Sequence, residues 1–175
     1  MNYIIIISGS VLIIILSWFL SIKHKRYHGI ARFFSFESIF ILTYLNLHVW
    51  FLNPLSIVQI FSWLFFAFSV YLAVAGFLLL KKIGKPAANN FENTSVIVRT
   101  SLYKYIRHPL YLSLFLLGTG IMLKDMKSIQ LILGGVNLVS VFITAKIEEK
   151  EMIVKFGEDY LRYMKDTKMF IPIII

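Results

Sequence analysis

There is no cysteine among the 175 residues, which removes disulfides, thiolate metal sites and a cysteine nucleophile. Charge is scarce as well. Only 15% of residues are charged and 58% are hydrophobic, with a mean hydropathy of +0.77. A soluble domain carries about 25% charged residues, so the missing charge argues for lipid as the solvent. Acidic residues number 9 against 18 basic ones. No stretch is both polar and long enough for a second, water-soluble domain. A single membrane domain over residues 1–175 is therefore expected, with a three-helix part at 1–81. Residues 82–175 would hold a polar loop, a helical hairpin and a C-terminal cytosolic segment.

What the chain has in abundance is apolar sequence in runs of membrane length. Crossing a hydrocarbon core takes ~20 helical residues. Tyr3 to Ile22, Phe34 to Leu52, Leu55 to Leu80, Pro109 to Leu123 and Ser128 to Ile147 read as five spans, the fourth of them short. Tyr3 to Ile22 lacks a basic flank before it and a small-residue cleavage site after it, so it is expected to stay as a span. All basic residues except Lys124 and Lys127 fall at the ends that share one side if the spans alternate. By the excess of lysine and arginine that side is cytoplasmic, which puts the N-terminus outside. The same distribution favours contact with membrane lipids over nucleic acid. Met152, Ile153, Phe156, Tyr160, Tyr163 and Met164 recur at helical spacing among charges. They predict an amphipathic cytosolic helix that starts near Glu148 and bends at Gly157. The fold class is all-α: a polytopic membrane protein with about five transmembrane helices and that C-terminal helix.

Two polar blocks stand at the edges of these runs. One is Arg107-His108-Pro109-Leu110-Tyr111; the other is Glu148-Glu149, followed by Phe156-Gly157 and Tyr160 to Tyr163. Proline suits the first turn of a helix, where a missing N–H costs nothing. The free N–H groups beside it favour an anion. A hairpin of the fourth and fifth spans returns Glu148 and Glu149 to the level of Arg107. A pocket between the blocks would pair a cationic helix start with an acidic helix end. Such a pocket suits a ligand with a carboxylate, a positive charge and a flat ring, and S-adenosylmethionine has those parts.

Ile97 to Tyr111, with Tyr103 and the Arg107-His108-Pro109 run, together with Glu148-Glu149, Phe156-Gly157, Tyr160, Tyr163 and Pro172, resembles the isoprenylcysteine carboxyl methyltransferase and phospholipid methyltransferase superfamily. The resemblance covers roughly residues 82–172. It implies an integral-membrane methyltransferase that uses S-adenosylmethionine at the cytosolic face, on a lipophilic small-molecule or lipidated acceptor carrying a carboxylate or amine. It places Ser95, Val96, Ile97, Val98, Tyr103, His108, Pro109, Leu110, Tyr111 and Glu148 around the cofactor. Arg107 is then the candidate cation for the substrate, with Glu149 beside it as the second catalytic candidate. Three positions depart from the family pattern: Ser101 for the turn glycine, Ser113 for a glycine after the tyrosine, and Thr144 for an arginine of the prenylcysteine enzymes. The last argues against a prenylcysteine acceptor.

Other readings compete. Membrane sterol reductases share a similar C-terminal half and bind NADPH, but Leu110 and Tyr160 stand where those enzymes carry asparagine and tryptophan. A non-catalytic scaffold would use the same polar residues as anchors only. The scattered histidines, with His24 and His28 in a basic run, do not suggest a metal site. Glu37 is expected to pair with Arg32 or Lys25, and His48 to anchor at the far interface.

Overall fold

In lipid the backbone must satisfy its own hydrogen bonds, so uncharged runs of this length become helices. The computed structural model describes residues 3–24, 26–85 and 94–172. Lys25, Pro86 and Asn89-Asn90 of the polar loop, the terminal Ile173 to Ile175 and the side chain of His24 lie outside the described residues. Within them the chain forms six α-helices: α1 (Tyr3–Leu20), α2 (His28–Asn46), α3 (Ile57–Ile83), α4 (Pro109–Met122), α5 (Ser128–Phe156) and α6 (Glu158–Asp166). The first three spans, α1 to α3, and α5 are long and apolar enough to cross a membrane. Helix α4 has 14 residues and rises about 21 Å, short of a ~30 Å hydrocarbon core.

That shortness shapes the molecule. Helix α4 packs among α2, α3 and α5, while α1 lies against α2. Leu110 and Pro109 at the start of α4 lie level with Gly76, where an added Cβ would sit 3.1 Å from Leu110 Cδ2. Helix α3 continues from there to Ile83, roughly 10 Å further along its axis. The longer helices therefore stand past the start of α4 and surround a recess.

Apolar side chains gain little by leaving lipid for a protein interior, so polar contacts carry much of the helix association. Ser35 Oγ donates to Asn137 Oδ1 (2.6 Å) and Asn137 Nδ2 to the Leu114 carbonyl (3.2 Å), joining α2, α5 and α4. Asn46 Nδ2 donates to the Ile121 carbonyl and Gln130 Nε2 to Asn46 Oδ1. Ser62 and Ser69 of α3 donate to the carbonyls of Gly120 and Ser113. Asn46 is thus a structural tie, and His48 is exposed near the far end of α2.

Three details differ from the expectations. Glu148 does not open a new helix: α5 runs unbroken to Phe156, because nothing between Ile147 and Phe156 interrupts it. The break falls at Gly157, with φ +57° and ψ −133°, a conformation open chiefly to glycine. Helix α2 begins at His28 rather than near Phe34, so Arg32 lies inside a helix and is buried. Glu37 does not pair with Arg32; it accepts a hydrogen bond from Ser10 of α1. Five helical residues separate the two side chains by about 140° around the axis, which turns Glu37 toward α1.

Candidate functional site

The recess holds a cavity of about 490 Å³, within the range of small-molecule sites. Its roof is built by chain pairing. Residues 105–108 run beside 168–169: Arg107 N donates to the Lys168 carbonyl (2.8 Å), His108 N to Met169 (3.2 Å) and Lys168 N to Tyr105 (3.0 Å). Phe170 folds back onto the cluster of Tyr111, Val141, Ala145 and Met169. Tyr163 of α6 donates to the Tyr103 carbonyl (2.7 Å), and the Tyr103 hydroxyl reaches the Gly76 carbonyl (3.4 Å). Burial, helped by the Glu148 charge, raises the Tyr103 phenol well above its ordinary range, so it stays a neutral donor.

Adjacent on α5, Glu148 and Glu149 face different ways, as one helical step of 100° requires. Glu149 is 3% exposed and takes Arg107 Nε at 2.7 Å and Nη2 at 2.6 Å. The remaining Arg107 nitrogen, Nη1, donates to the carbonyls of Met164 (3.3 Å) and Thr167. The guanidinium therefore ties α5, the start of α4 and the end of α6 together. Glu148 holds Arg26 Nη2 on Oε1 (3.4 Å) and faces His108 Nδ1 with Oε2 (3.4 Å). His108 Nε2 lies 3.5 Å from Glu149 Oε1 and completes no hydrogen bond among the described residues. Both ring nitrogens thus face carboxylates, an environment suited to the imidazolium. Burial alone would depress the His108 pKa, but the two carboxylates outweigh it and the net shift is upward. The imidazole stacks on Tyr111 at 5.4 Å and 20°.

Of the residues singled out from sequence, Ile97, Val98, Tyr103, Arg107, His108, Leu110, Tyr111 and Glu148 line the cavity. The structure brings the two polar blocks together. Ser95, Val96, Pro109 and Glu149 are not among the lining residues. The backbone N–H groups of Ser95 and Val96 instead clasp the Gly84 carbonyl at the end of α3. Pro109 is buried against Gly76. Thr144 is buried too, donating to the Ser140 carbonyl, and lies outside the lining.

Sequence reasoning missed much of the remaining wall: Arg32 and Phe36 of α2; Ala73, Val74, Phe77 and Leu80 of α3; Thr94; and Leu114 of α4, while Phe156 belongs to the second polar block and Ser113 and Met152 were singled out for other reasons. For α3 no signal existed, since a uniformly apolar span does not reveal which side faces a cavity. For Arg32 the signal was its place in an apolar run, because a charge within a span is functional by default. Tyr160 and Tyr163 of α6 complete the wall. They face inward across the break at Gly157.

Fold and site define a polytopic integral-membrane protein with a recessed cavity framed by histidine, arginine and paired glutamates. Residues 57–159 match the family model for phospholipid methyltransferase, and the chain belongs to that family. Among curated proteins it is 32% identical over 74 residues to the methanethiol S-methyltransferase of Crocosphaera subtropica, covering 42% of this chain and 28% of that relative. Methanethiol S-methyltransferase 1 of Bradyrhizobium diazoefficiens is 31% identical over 71 residues (41% and 24%), and the methanethiol S-methyltransferase of Pseudomonas deceptionensis 32% over 71 residues (41% and 26%). The match thus spans roughly a quarter of each relative's length. No solved structure matches the chain.

Proposed function

We propose that this protein transfers a methyl group from S-adenosylmethionine to a small or lipophilic acceptor, with the cofactor reaching the cavity from the cytosolic face. The observation that carries this reading is the cavity itself, lined by Arg107 and His108 of one polar block and Glu148 of the other, with the Arg107–Glu149 pair joining the blocks across 42 residues of sequence at 2.7 Å. The residues present fit the methyl donor. Glu148 offers carboxylate oxygens to hydroxyls or an amine. Tyr103, Tyr111, Tyr160 and Tyr163 offer ring faces to a purine, with Ile97 and Val98 as apolar contacts. His108 holds a proton donor in the wall. When bound, S-adenosylmethionine supplies an electrophilic methyl carbon on a sulfonium.

The chain's own part is alignment and exclusion of water, which account for a large share of the acceleration in such displacements. Arg107 and Glu149 serve as a mutual clamp rather than as contacts to substrate. They hold the start of α4 against the end of α5. The acceptor side is the apolar wall of Ala73, Val74, Phe77 and Phe36. Helices α2 and α3 both contribute to it with little packing on each other, and Val74 and Phe77 are partly exposed, so an apolar acceptor has a path from the bilayer. The relatives' name makes a small thiol the first acceptor to try. A lipid amine is the second, from the family description.

Isothermal titration of the purified chain in detergent tests this. S-adenosylmethionine should bind and NADPH should not, and Glu148→Gln should weaken donor binding by about tenfold or more. Binding of NADPH in place of the methyl donor would move the protein to the reductase reading.

A further inference from the structure

We propose that Arg26, on the connector between α1 and α2, is a positioning residue that holds Glu148 toward the methyl-donor cavity; this rests on the reading above. Arg26 lies outside the family-matched residues 57–159, so the match assigns it nothing. Its contacts place it in the cavity's charge network. Arg26 Nη2 lies 3.4 Å from Glu148 Oε1, and His108 Nδ1 lies 3.4 Å from the other oxygen. The Glu148 carboxylate is thus held from two sides, by groups 82 positions apart in the chain. A glutamate at the edge of a cavity has several rotamers open to it, and two cations on separate oxygens select one.

The connector is built to keep Arg26 in place. Arg26 N donates to the Ser21 carbonyl (3.1 Å), and its own carbonyl accepts from Gly29 N (3.2 Å). Gly29 packs so closely on Ser21 that an added Cβ would lie 2.2 Å from Ser21 Cβ. A second carboxylate steadies the guanidinium: Glu151 Oε2 is 3.7 Å from Arg26 Nε. Glu151 also accepts from His28 N (3.3 Å) and meets His28 Nδ1 at 2.8 Å, closing the first turn of α2 onto α5. Glu148 and Glu151 are three residues apart and so share a helix face. Glu149 faces away from them toward Arg107. The connector therefore grips the glutamate that lines the cavity and leaves the structural one alone.

The experiment is titration of S-adenosylmethionine into the full chain in detergent micelles, comparing wild type, Arg26→Gln, Arg26→Lys and the surface control Arg162→Gln. Arg26→Gln should bind about tenfold more weakly, Arg26→Lys should recover most of that loss, and Arg162→Gln should match wild type. Rescue by lysine marks a role for the charge, which a purely packing role would not give. Equal affinity in wild type and Arg26→Gln overturns the proposal, as does a lysine variant no better than glutamine. If Arg26→Gln does not fold, Glu151→Gln decides. It removes the brace on Arg26 and the contact to His28 without touching Glu148, so it is compared with His28→Gln: a loss of about threefold beyond that of His28→Gln supports the proposal and no further loss overturns it. Failure of wild type itself to bind the donor overturns the functional reading along with it.

Discussion

Both ends of the helix bundle bury a cation, and they meet its charge in different ways. In the turn between α4 and α5, Lys124 is 5% exposed. Its Nζ lies 3.5 Å from the centroid of the Trp63 ring, 5.3 Å from Phe66 and 5.7 Å from Trp50, and it makes no hydrogen bond among the described residues. At the other end Arg26, Arg107 and His108 face Glu148, Glu149 and Glu151. Aromatic faces satisfy a cation without directional bonds and fill the space around it. Carboxylates hold their partners at fixed angles and keep lone pairs for a further donor. The Lys124 end is accordingly a seal, and the His108 end frames a cavity. The difference is that one face of the helix bundle closes around its cation while the other leaves a cavity beside its charges.

The harshest way to break this comparison is Arg107→Ala. It leaves Glu149 buried without its main partner and removes the tie between α4, α5 and α6. A buried pair broken from one side costs about 3–5 kcal/mol, so thermal unfolding in detergent should fall steeply. Arg107→Lys should recover only part, since an ammonium lacks the fork that serves Glu149 and two carbonyls together. A loss under about 1 kcal/mol, the range of an exposed pair, would show that the pair does not hold the recess.

Lys124→Met is the matching change at the sealed end. It keeps most of the stem and removes the charge, so a cation–π contribution of about 0.5–2 kcal/mol is lost. This is offset by the desolvation cost of burying the ammonium, which is lost with it, and the net change in stability should be small. Affinity for the methyl donor should not move. A change in that affinity would mean the two ends are coupled through α4, against the division drawn above.

The opposed pKa shifts sharpen the contrast through pH. Burial lowers the Lys124 pKa, so above the lowered value and up to 10.5 the unfolded chain binds more protons and stability rises with pH. The net shift of His108 is upward, so its contribution is full below 6.5 and is lost as pH rises through the higher folded value. Melting temperature followed from pH 6 to 10 should lose the falling component in His108→Gln and the rising one in Lys124→Met. Donor affinity should follow the His108 limb alone. An unchanged profile in His108→Gln would remove the imidazolium from the site.

Hydropathy revealed the spans, and the two polar blocks revealed the hairpin, because both are local signals. The uninterrupted run of α5 past Glu148 was hidden by the change from an apolar to an amphipathic pattern, although no residue there breaks a helix. Arg26 and His28 read as part of a basic run beside the membrane. Their partners Glu148 and Glu151 lie more than 120 residues away, and no spacing rule joins them. The α3 wall was hidden for the opposite reason, since every side of that helix is apolar. Sequence thus marked the residues that carry charge, while packing decided which charges meet.

Ser101 makes the smallest test, and it lies at the same end as the cavity. The resemblance read from the sequence implies glycine there, and the backbone of Ser101 has φ +53°, a left-handed conformation that costs an ordinary L-residue about 1–2 kcal/mol. Glycine would remove that cost but lose about 0.5–1 kcal/mol of its own through a more mobile unfolded chain. Ser101→Gly should therefore stabilise by only about 0.5–1 kcal/mol, read as a small rise in melting temperature. Ser101 is exposed and outside the cavity lining, so donor affinity should stay level. Gly157→Ala gives the reverse case at a similar φ. An added Cβ there meets nothing within 4 Å, so any loss comes from the backbone alone. If Ser101→Gly lowers stability instead, the hydroxyl has a role in the turn, and backbone strain at that position is not what separates this chain from the family pattern.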